Sequence, residues 1–178
     1  MILDVGKTVV YPRQGPCRIG AVVNKIVGGN AMSFYQLAVL DDSGDALFVP
    51  VDKAVSMGVR QLITKTELPK LLSRLEEKGE AIKLPASAIN WKQRVINHAK
   101  LLASGSVFDL AEIIRSLTQL NEIKALSPRD RQVLDKARRN LICEIAEVMG
   151  ENKAAAERRL DKSLQVANPG LKIGDAHS

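Results

Sequence analysis

The period of the hydrophobic pattern changes near Arg60, and this change constrains the fold more than any other feature of the sequence. Before it, short apolar runs alternate with turn residues, whereas after it apolar residues recur at helical spacing. Strands in one part and helices in the other predict an α+β protein with two domains. We expect a sheet domain over residues 1–60, a helical domain over residues 61–167 and a disordered tail over residues 168–178.

The first part predicts a small antiparallel β-barrel or strongly bent sheet of four or five strands. The predicted strands are Thr8–Tyr11, Cys17–Val27, Ser33–Leu40 and Ala46–Val51. Short turns rich in glycine, proline and aspartate separate them. The barrel is almost neutral, with six Lys and Arg against five Asp and Glu, and it has few aromatic residues on which bases could stack. We therefore expect it to bind a protein, through an exposed strand edge.

The second part predicts a compact all-α bundle of about five helices. Each predicted helix opens on a side chain that can accept hydrogen bonds from the first turn: Thr64 with Glu67, Asn90, Ser106 with Asp109, Ser127 before Pro128, and Asn152. Gly105 and Gly150 are placed to end the second and fourth helices. This half also carries most of the net charge of +6, with twenty Lys and Arg against fifteen Asp and Glu. The excess favours association with an anionic polymer.

The single tryptophan, Trp91, lies in a window without acidic residues, residues 81–108. The cationic residues of this window are Lys83, Lys92, Arg94 and Lys100, and His98 can become charged. Such a surface can approach phosphates and offer a ring to a base step. The same cations could also form an ordinary solvated helix face, although such faces usually interleave acids with bases.

Trp91 itself has two interpretations. It shares a helical face with Val95, Ala99 and Leu102, so its ring could close the core of the bundle. Alternatively, it projects outward from the first turn of a helix, whose free N–H groups attract phosphate. The spacing leaves both possibilities open.

Catalytic and metal-binding patterns are not apparent in the sequence. Cys17 and Cys143 have no partner at ligand spacing and are expected to be reduced and buried. The two histidines, His98 and His177, form no recognisable nucleophile–base arrangement in the sequence, and His177 lies in the predicted tail. We expect no enzymatic activity, cofactor or metal. The chain start lacks a signal-peptide pattern and no run is long enough for a membrane span, so we expect a cytoplasmic protein. We also expect a monomer.

Several ordered landmarks resemble one family. They are Val5–Pro12 with Gly15, Val49–Val51, Gly58–Arg60, Asn90-Trp91, Ala103–Phe108, Ala111–Arg115, Leu126-Ser127, Leu134, Ala137 and Leu141–Ala146. Over about residues 2–166 the sequence resembles the CarD/CdnL family of bacterial transcription regulators. The resemblance implies a Tudor-like N-terminal domain that docks on the β subunit of RNA polymerase, similar to the polymerase-interacting domain of the transcription-repair coupling factor. It further implies a helical domain that contacts promoter DNA.

The resemblance also implies roles for particular residues. The family's tryptophan, matched by Trp91, wedges into the minor groove at the upstream edge of the bubble and stabilises the open complex. Phosphate contacts would come from Lys92, Arg94 and Lys100. The residues expected to contact polymerase are Lys25, Ile26, Val27, Phe48 and Pro50.

The sequence departs from the family at a few positions. Gln93 and Ile96 stand where basic residues are common, so the DNA contact is expected to be weaker or shifted. Residues Pro16-Cys17-Arg18 replace a glycine-rich turn, and Phe48 stands where some members have arginine, which predicts a more apolar polymerase contact.

The leading hypothesis is a non-enzymatic regulator of transcription initiation, acting at the nucleoid, that binds polymerase and, weakly and with little sequence specificity, promoter DNA. The alternative is a protein–protein adaptor whose helical bundle binds another regulator without touching DNA.

Overall fold

The computed structural model describes residues 3–78 and 91–171, and it divides into two compact units, Met1–Leu62 and Ile63–Ser178. Each unit has its own hydrophobic core. The first unit consists of strands and the second of helices, which confirms the predicted α+β class.

The N-terminal unit is a five-stranded antiparallel sheet. Its strands are β1 (Thr8–Tyr11), β2 (Gly15–Val27), β3 (Asn30–Val39), β4 (Ala46–Pro50) and β5 (Arg60–Gln61), with a short 3₁₀ turn at Val51–Lys53. The strand order is β4-β3-β2-β1-β5, which makes β4 and β5 the outer strands. The predicted strands are confirmed within a few residues, and β5 is the additional strand.

Alternation along the strands builds the core of the sheet. Ile19, Leu37 and Val49 are almost completely buried, while neighbours such as Arg18 and Ala38 are exposed. Tyr35 is the buried aromatic of this core, and its hydroxyl oxygen accepts a hydrogen bond of 3.2 Å from the backbone N–H of Leu3. The polar tip of the ring is therefore satisfied inside an apolar layer.

The β2–β3 hairpin extends beyond this core. The pairing register shifts between Ile19 and Ala21, which leaves Gly20 as an extra residue in β2. From there Val22 and Val27, both about half exposed, lie on a two-stranded ribbon that turns at Gly28-Gly29. A β-bulge increases local twist and re-aims the strand that carries it. The ribbon therefore presents side chains that are not required for the core.

The C-terminal unit contains five described helices, as predicted for the bundle. They are α1 (Leu68–Glu76), α2 (Trp91–Ser104), α3 (Val107–Ile123), α4 (Pro128–Met149) and α5 (Lys153–Ala167). Their core is mainly aliphatic and centres on Leu117, Leu141 and Leu160, all completely buried. Glu144 is also completely buried, and its carboxylate accepts a hydrogen bond of 3.0 Å from the backbone N–H of Ile63.

Four of the predicted helix boundaries are confirmed by their hydrogen bonds or backbone geometry. The Ser127 hydroxyl accepts the N–H of Asp130 at 3.1 Å at the start of α4, and the Asn152 side chain accepts the N–H of Ala155 at 2.8 Å at the start of α5. Gly105, with φ of 69°, ends α2, and Gly150, with φ of 64°, ends α4, both in the left-handed conformation.

Two predicted caps are wrong. Helix α1 begins at Leu68 rather than at the Thr64 cap, because Thr64 forms a separate turn in which the Glu67 carboxylate accepts its N–H at 2.8 Å. At the start of α3 the Ser106 side chain makes no cap bond. The Asp109 carboxylate instead accepts a hydrogen bond from the Ser104 hydroxyl. The predicted Asn90 cap lies outside the described residues.

The chain remains against the helical core just beyond α5. Asn168 is buried, its side chain donates to the carbonyl of Leu164 at 3.1 Å, and Leu171 packs on the core. Disorder was predicted from residue 168 onward. Residues 172–178 of that predicted tail lie outside the described part of the chain.

Candidate functional site

Trp91 is half exposed on α2. Its exposed fraction is 50%, and it is not a member of the buried cluster of the helical unit. The Nζ atom of Lys92 lies 5.9 Å from the centroid of its ring, within range of a cation–π contact. At the N-terminal end of α2, the helix face that Trp91 shares with Val95, Ala99 and Leu102 is therefore exposed and does not belong to the core.

The residues that do face the bundle lie further along α2. His98 is the only residue of this helix that is fully buried, and Leu101 and Leu102 are partly buried against the core. The opposite side carries Lys92 and Lys100, both exposed, with Ile96 between them at an exposed fraction of 48%. Because these three residues are four apart, they form one stripe along the helix surface, which we call the outer stripe.

Arg94 points to α4 and forms an ion pair. Its Nη2 atom lies 3.0 Å from the Oδ2 atom of Asp130, and the two side chains are 21% and 5% exposed. The window around Trp91 contains no acidic residue of its own, but in the folded protein an acidic side chain from another helix, Asp130, contacts it. Its compensating carboxylate comes from the first turn of a helix 36 residues away in the chain.

The Asp130 carboxylate has a second hydrogen-bond partner, Ser127. The same Oδ2 atom accepts a hydrogen bond of 3.0 Å from the Ser127 hydroxyl, and that hydroxyl accepts the N–H of Asp130. A carboxylate in the first helical turn is further stabilised by the positive end of the helix dipole. In the sequence, the Ser127 cap motif is the signal that points to the local role of Asp130.

His98 lies one turn after Arg94 and is 6% exposed. Burial lowers the pKa of His98 below its usual value of 6.5; Asp130 opposes this shift, Arg94 reinforces it and Glu112 opposes it. Its Nδ1 atom is buried without a hydrogen-bond partner among the described residues, as is the Nε atom of Arg94. At neutral pH this imidazole is therefore uncharged and contributes little to the positive surface.

The cleft between α2 and α3 has a volume of about 530 Å³ and is lined by His98, Glu112 and Ser116 among others. The Ser116 hydroxyl donates to the carbonyl of Ile113 at 3.2 Å, so it is not activated by the imidazole. Within the described residues, no group of three or more His, Cys, Asp or Glu is arranged to hold a metal ion. Cys17 and Cys143 are both buried thiols.

A second set of predicted site residues lies on the sheet. The Nζ atom of Lys25 on β2 lies 3.8 Å from the centroid of the Phe48 ring on β4, and that ring is 45% exposed. Val27 shares the Lys25 face because strand residues two apart point the same way, and Pro50 shares the Phe48 face for the same reason. We call these four residues the Lys25–Phe48 face.

Ile26 does not belong to the Lys25–Phe48 face. It alternates with Lys25 and Val27, so it points to the opposite side of the ribbon, where it is 80% exposed. The structure therefore brings together four of the five residues expected to bind polymerase and separates the fifth from them.

Among the described residues, no helix is long and apolar enough to cross a membrane. The two units define a two-domain α+β protein. The sheet unit exposes the Lys25–Phe48 face, and the helical unit carries a half-exposed tryptophan.

Comparisons with known proteins agree with this class. Residues 3–63 match the model of the CarD-like/TRCF RID domain, and residues 70–161 match the model of the CarD C-terminal domain. The chain belongs to the CarD family of transcription regulators, which are not enzymes.

Two relatives illustrate the similarity. A Bacillus subtilis (strain 168) protein named "Putative transcription factor YdeB" is 26% identical over 149 residues, which cover 84% of this chain and 94% of that protein. The solution NMR structure of the 72-residue N-terminal domain of Myxococcus xanthus CarD is 41% identical and covers 33% of this chain and 77% of that domain, with a TM-score of 0.29.

Proposed function

We propose that this protein binds the β subunit of RNA polymerase through its N-terminal sheet and stabilises the promoter open complex through its helical domain, in the bacterial cytoplasm at the nucleoid. In this proposal Trp91 wedges into the minor groove at the upstream edge of the bubble. Polymerase supplies most of the affinity, and the DNA contact is weak and nearly independent of sequence.

The exposure of Trp91 is the observation that carries the proposal. A tryptophan ring is large and apolar, and rings of this kind are on average highly buried in folded proteins. Here half of the ring is exposed beside Lys92, on a helix that has no acidic residue of its own. Apolar side chains that wedge between base steps at the minor groove must be accessible, and a neighbouring cation such as Lys92 favours the approach to phosphates.

The outer stripe suits a phosphate backbone. Lys92 and Lys100 are eight residues apart, which corresponds to about 12 Å along the helix axis. Both are exposed, so they can follow phosphates on either side of a groove, and Lys92 can do so beside the Trp91 ring that it contacts. Ile96 replaces a basic residue between them and reduces the number of possible phosphate contacts. Contacts of this type supply affinity but no sequence information.

The sheet offers two features to a protein partner. Strand β4 is an outer strand, and such an edge can pair with an extended segment of another chain. Beside it lies the Lys25–Phe48 face, which presents an aromatic ring and a cation in contact. The match to a domain type named for the transcription-repair coupling factor supports polymerase as this partner.

The experiment that tests the proposal is the decay of open complexes after a competitor challenge. Trp91→Ala should shorten the lifetime of the complex towards its value without the protein, whereas polymerase binding should persist. Val166→Ala, which truncates a 58% exposed side chain on α5, serves as the control and should leave the lifetime unchanged. An unchanged lifetime with Trp91→Ala, at full occupancy of polymerase, would show that the wedge mechanism is wrong.

A further inference from the structure

Helix α2 has few apolar contacts at the end that carries Trp91. Trp91, Lys92 and Gln93 are exposed, and the buried or partly buried apolar contacts of the helix are made by Leu101 and Leu102 near its other end. Since tertiary packing of an apolar stripe normally fixes a helix, the first turn of α2 needs another attachment.

The ion pair between Arg94 and Asp130 provides that attachment. Arg94 follows Trp91 by three residues, so the two side chains leave the helix on neighbouring positions. The acceptor, Asp130, is bound by Ser127 and is 3% exposed, so it offers a fixed point on α4. Removing one partner of a buried pair leaves the other charge uncompensated, which is strongly destabilising.

The same pair limits what else Arg94 can do. Its Nη2 atom is engaged by Asp130 and its Nε atom is buried. A phosphate contact through these atoms would require the ion pair to break and would leave the Asp130 carboxylate buried and unpaired. Lys92 and Lys100 carry no such penalty, because both are exposed on the opposite side of the helix.

We infer that Arg94 acts as a positioning residue: its ion pair with Asp130 holds the first turn of α2 on α4 and thereby sets the orientation of Trp91 towards DNA. This inference rests on the proposed function for its consequence in transcription. The attachment itself is a property of the free protein and can be measured without DNA.

Asp130→Asn separates this inference from a direct DNA contact, because the two predict opposite signs. If Arg94 contacted phosphate, neutralising Asp130 would free the guanidinium and remove a negative charge, so open complexes would live as long or longer. If Arg94 positions Trp91, the lifetime should fall by about threefold or more. A change of that size is comparable with the net contribution of one hydrogen bond. Asp135→Asn is the matched control, because it removes the same charge from an exposed site on the same helix.

The lone tryptophan gives a readout that does not depend on the proposed function. In the free protein, Asp130→Asn should lower the fluorescence anisotropy of Trp91 and increase its quenching by acrylamide, whereas Asp135→Asn should change neither. Unchanged anisotropy and quenching would overturn the inference, whatever happens to transcription. If the fluorescence changes as expected but Trp91→Ala has no effect on open complexes, the positioning holds and the proposed function fails.

Arg94→Lys serves as a second variant in case Asp130→Asn loses the helical fold. Lysine keeps the charge needed for a phosphate but not the planar guanidinium geometry. The inference predicts a change in the Trp91 signals with this variant, accompanied by a shorter open-complex lifetime. A wild-type signal and lifetime would contradict it.

Discussion

The Nζ atom of Lys25 lies 3.8 Å above the ring of Phe48, although the two residues belong to strands that are separated by β3. The contact joins the ribbon to the outer strand of the sheet. It also keeps an apolar ring at 45% exposure next to a charge on the face proposed for polymerase. Ile26 lies on the opposite face of the same ribbon and is 80% exposed, so it serves as the matched comparison for Phe48.

Phe48→Ser should weaken polymerase binding by about tenfold or more, since aromatic anchors near the centre of an interface dominate its affinity. Ile26→Ser should change the affinity by about twofold at most, because it removes an exposed apolar side chain from the other face. Both variants keep the strand pairing, and their affinities for the isolated β subunit can be compared by titration calorimetry. The reverse ranking would place the interface on the Ile26 face.

Cation substitutions on α2 should change the salt dependence of DNA binding. Lys92→Gln and Lys100→Gln should each reduce the slope of log affinity against log salt by about 0.7 to 0.9, the value for one phosphate contact. Arg139→Gln, an exposed cation on α4, should not. The measurement uses a forked promoter fragment in the presence of polymerase. A protein–protein adaptor would show no difference among the three variants.

Stability of the helical unit should decrease as the pH falls from 7 to 5. Burial holds the pKa of His98 below 6.5, so in this range the unfolded chain binds a proton more readily than the folded one. The stabilisation is fully present above pH 6.5 and is lost as the pH falls towards the folded-state pKa. Urea unfolding followed by Trp91 fluorescence checks this, and His98→Gln should reduce the dependence. His177→Gln, which changes the only other histidine, should leave it intact.

Gly58 is required by its conformation and by its neighbour. Its φ is 88°, and a Cβ atom at this position would lie 2.8 Å from the Cγ atom of Pro12. Gly44 has a similar φ of 77° but open space around it. Gly58→Ala should therefore destabilise the sheet unit by about 2–4 kcal/mol, and Gly44→Ala by only about 1–2 kcal/mol, the cost of the left-handed backbone alone.

Both tyrosines, Tyr11 and Tyr35, lie in the sheet unit, so in a Trp91→Phe background their near-ultraviolet circular dichroism reports its unfolding separately from that of the helices. Equal costs for Gly58→Ala and Gly44→Ala would show that the Pro12 contact can relax.

Local features of the fold were predictable because their causes are local. The Ser127 and Asn152 caps depend on a side chain and a backbone N–H three residues apart, and both were predicted correctly. The Thr64 cap was wrong even though its Glu67 contact exists, since a separate turn precedes α1. A motif of this length predicts the hydrogen bond better than it predicts which residue opens the helix.

The candidate surfaces were only partly predictable. The lack of acids around Trp91 is visible in the sequence, but the pairing of Arg94 with Asp130 is not, because it depends on how α2 packs against α4. Likewise, alternation separates Ile26 from Lys25, but only the strand register of the sheet brings Lys25 over Phe48.

The sequence by itself determined the two-part α+β organisation, the positions of the elements and the family, because hydrophobic period, turn residues and ordered landmarks act over short distances. The tertiary structure decided which cationic side chains are exposed and which form ion pairs. Side chains far apart in the chain meet only after packing, and burial then determines that Lys92 and Lys100 remain exposed while Arg94 is paired with Asp130.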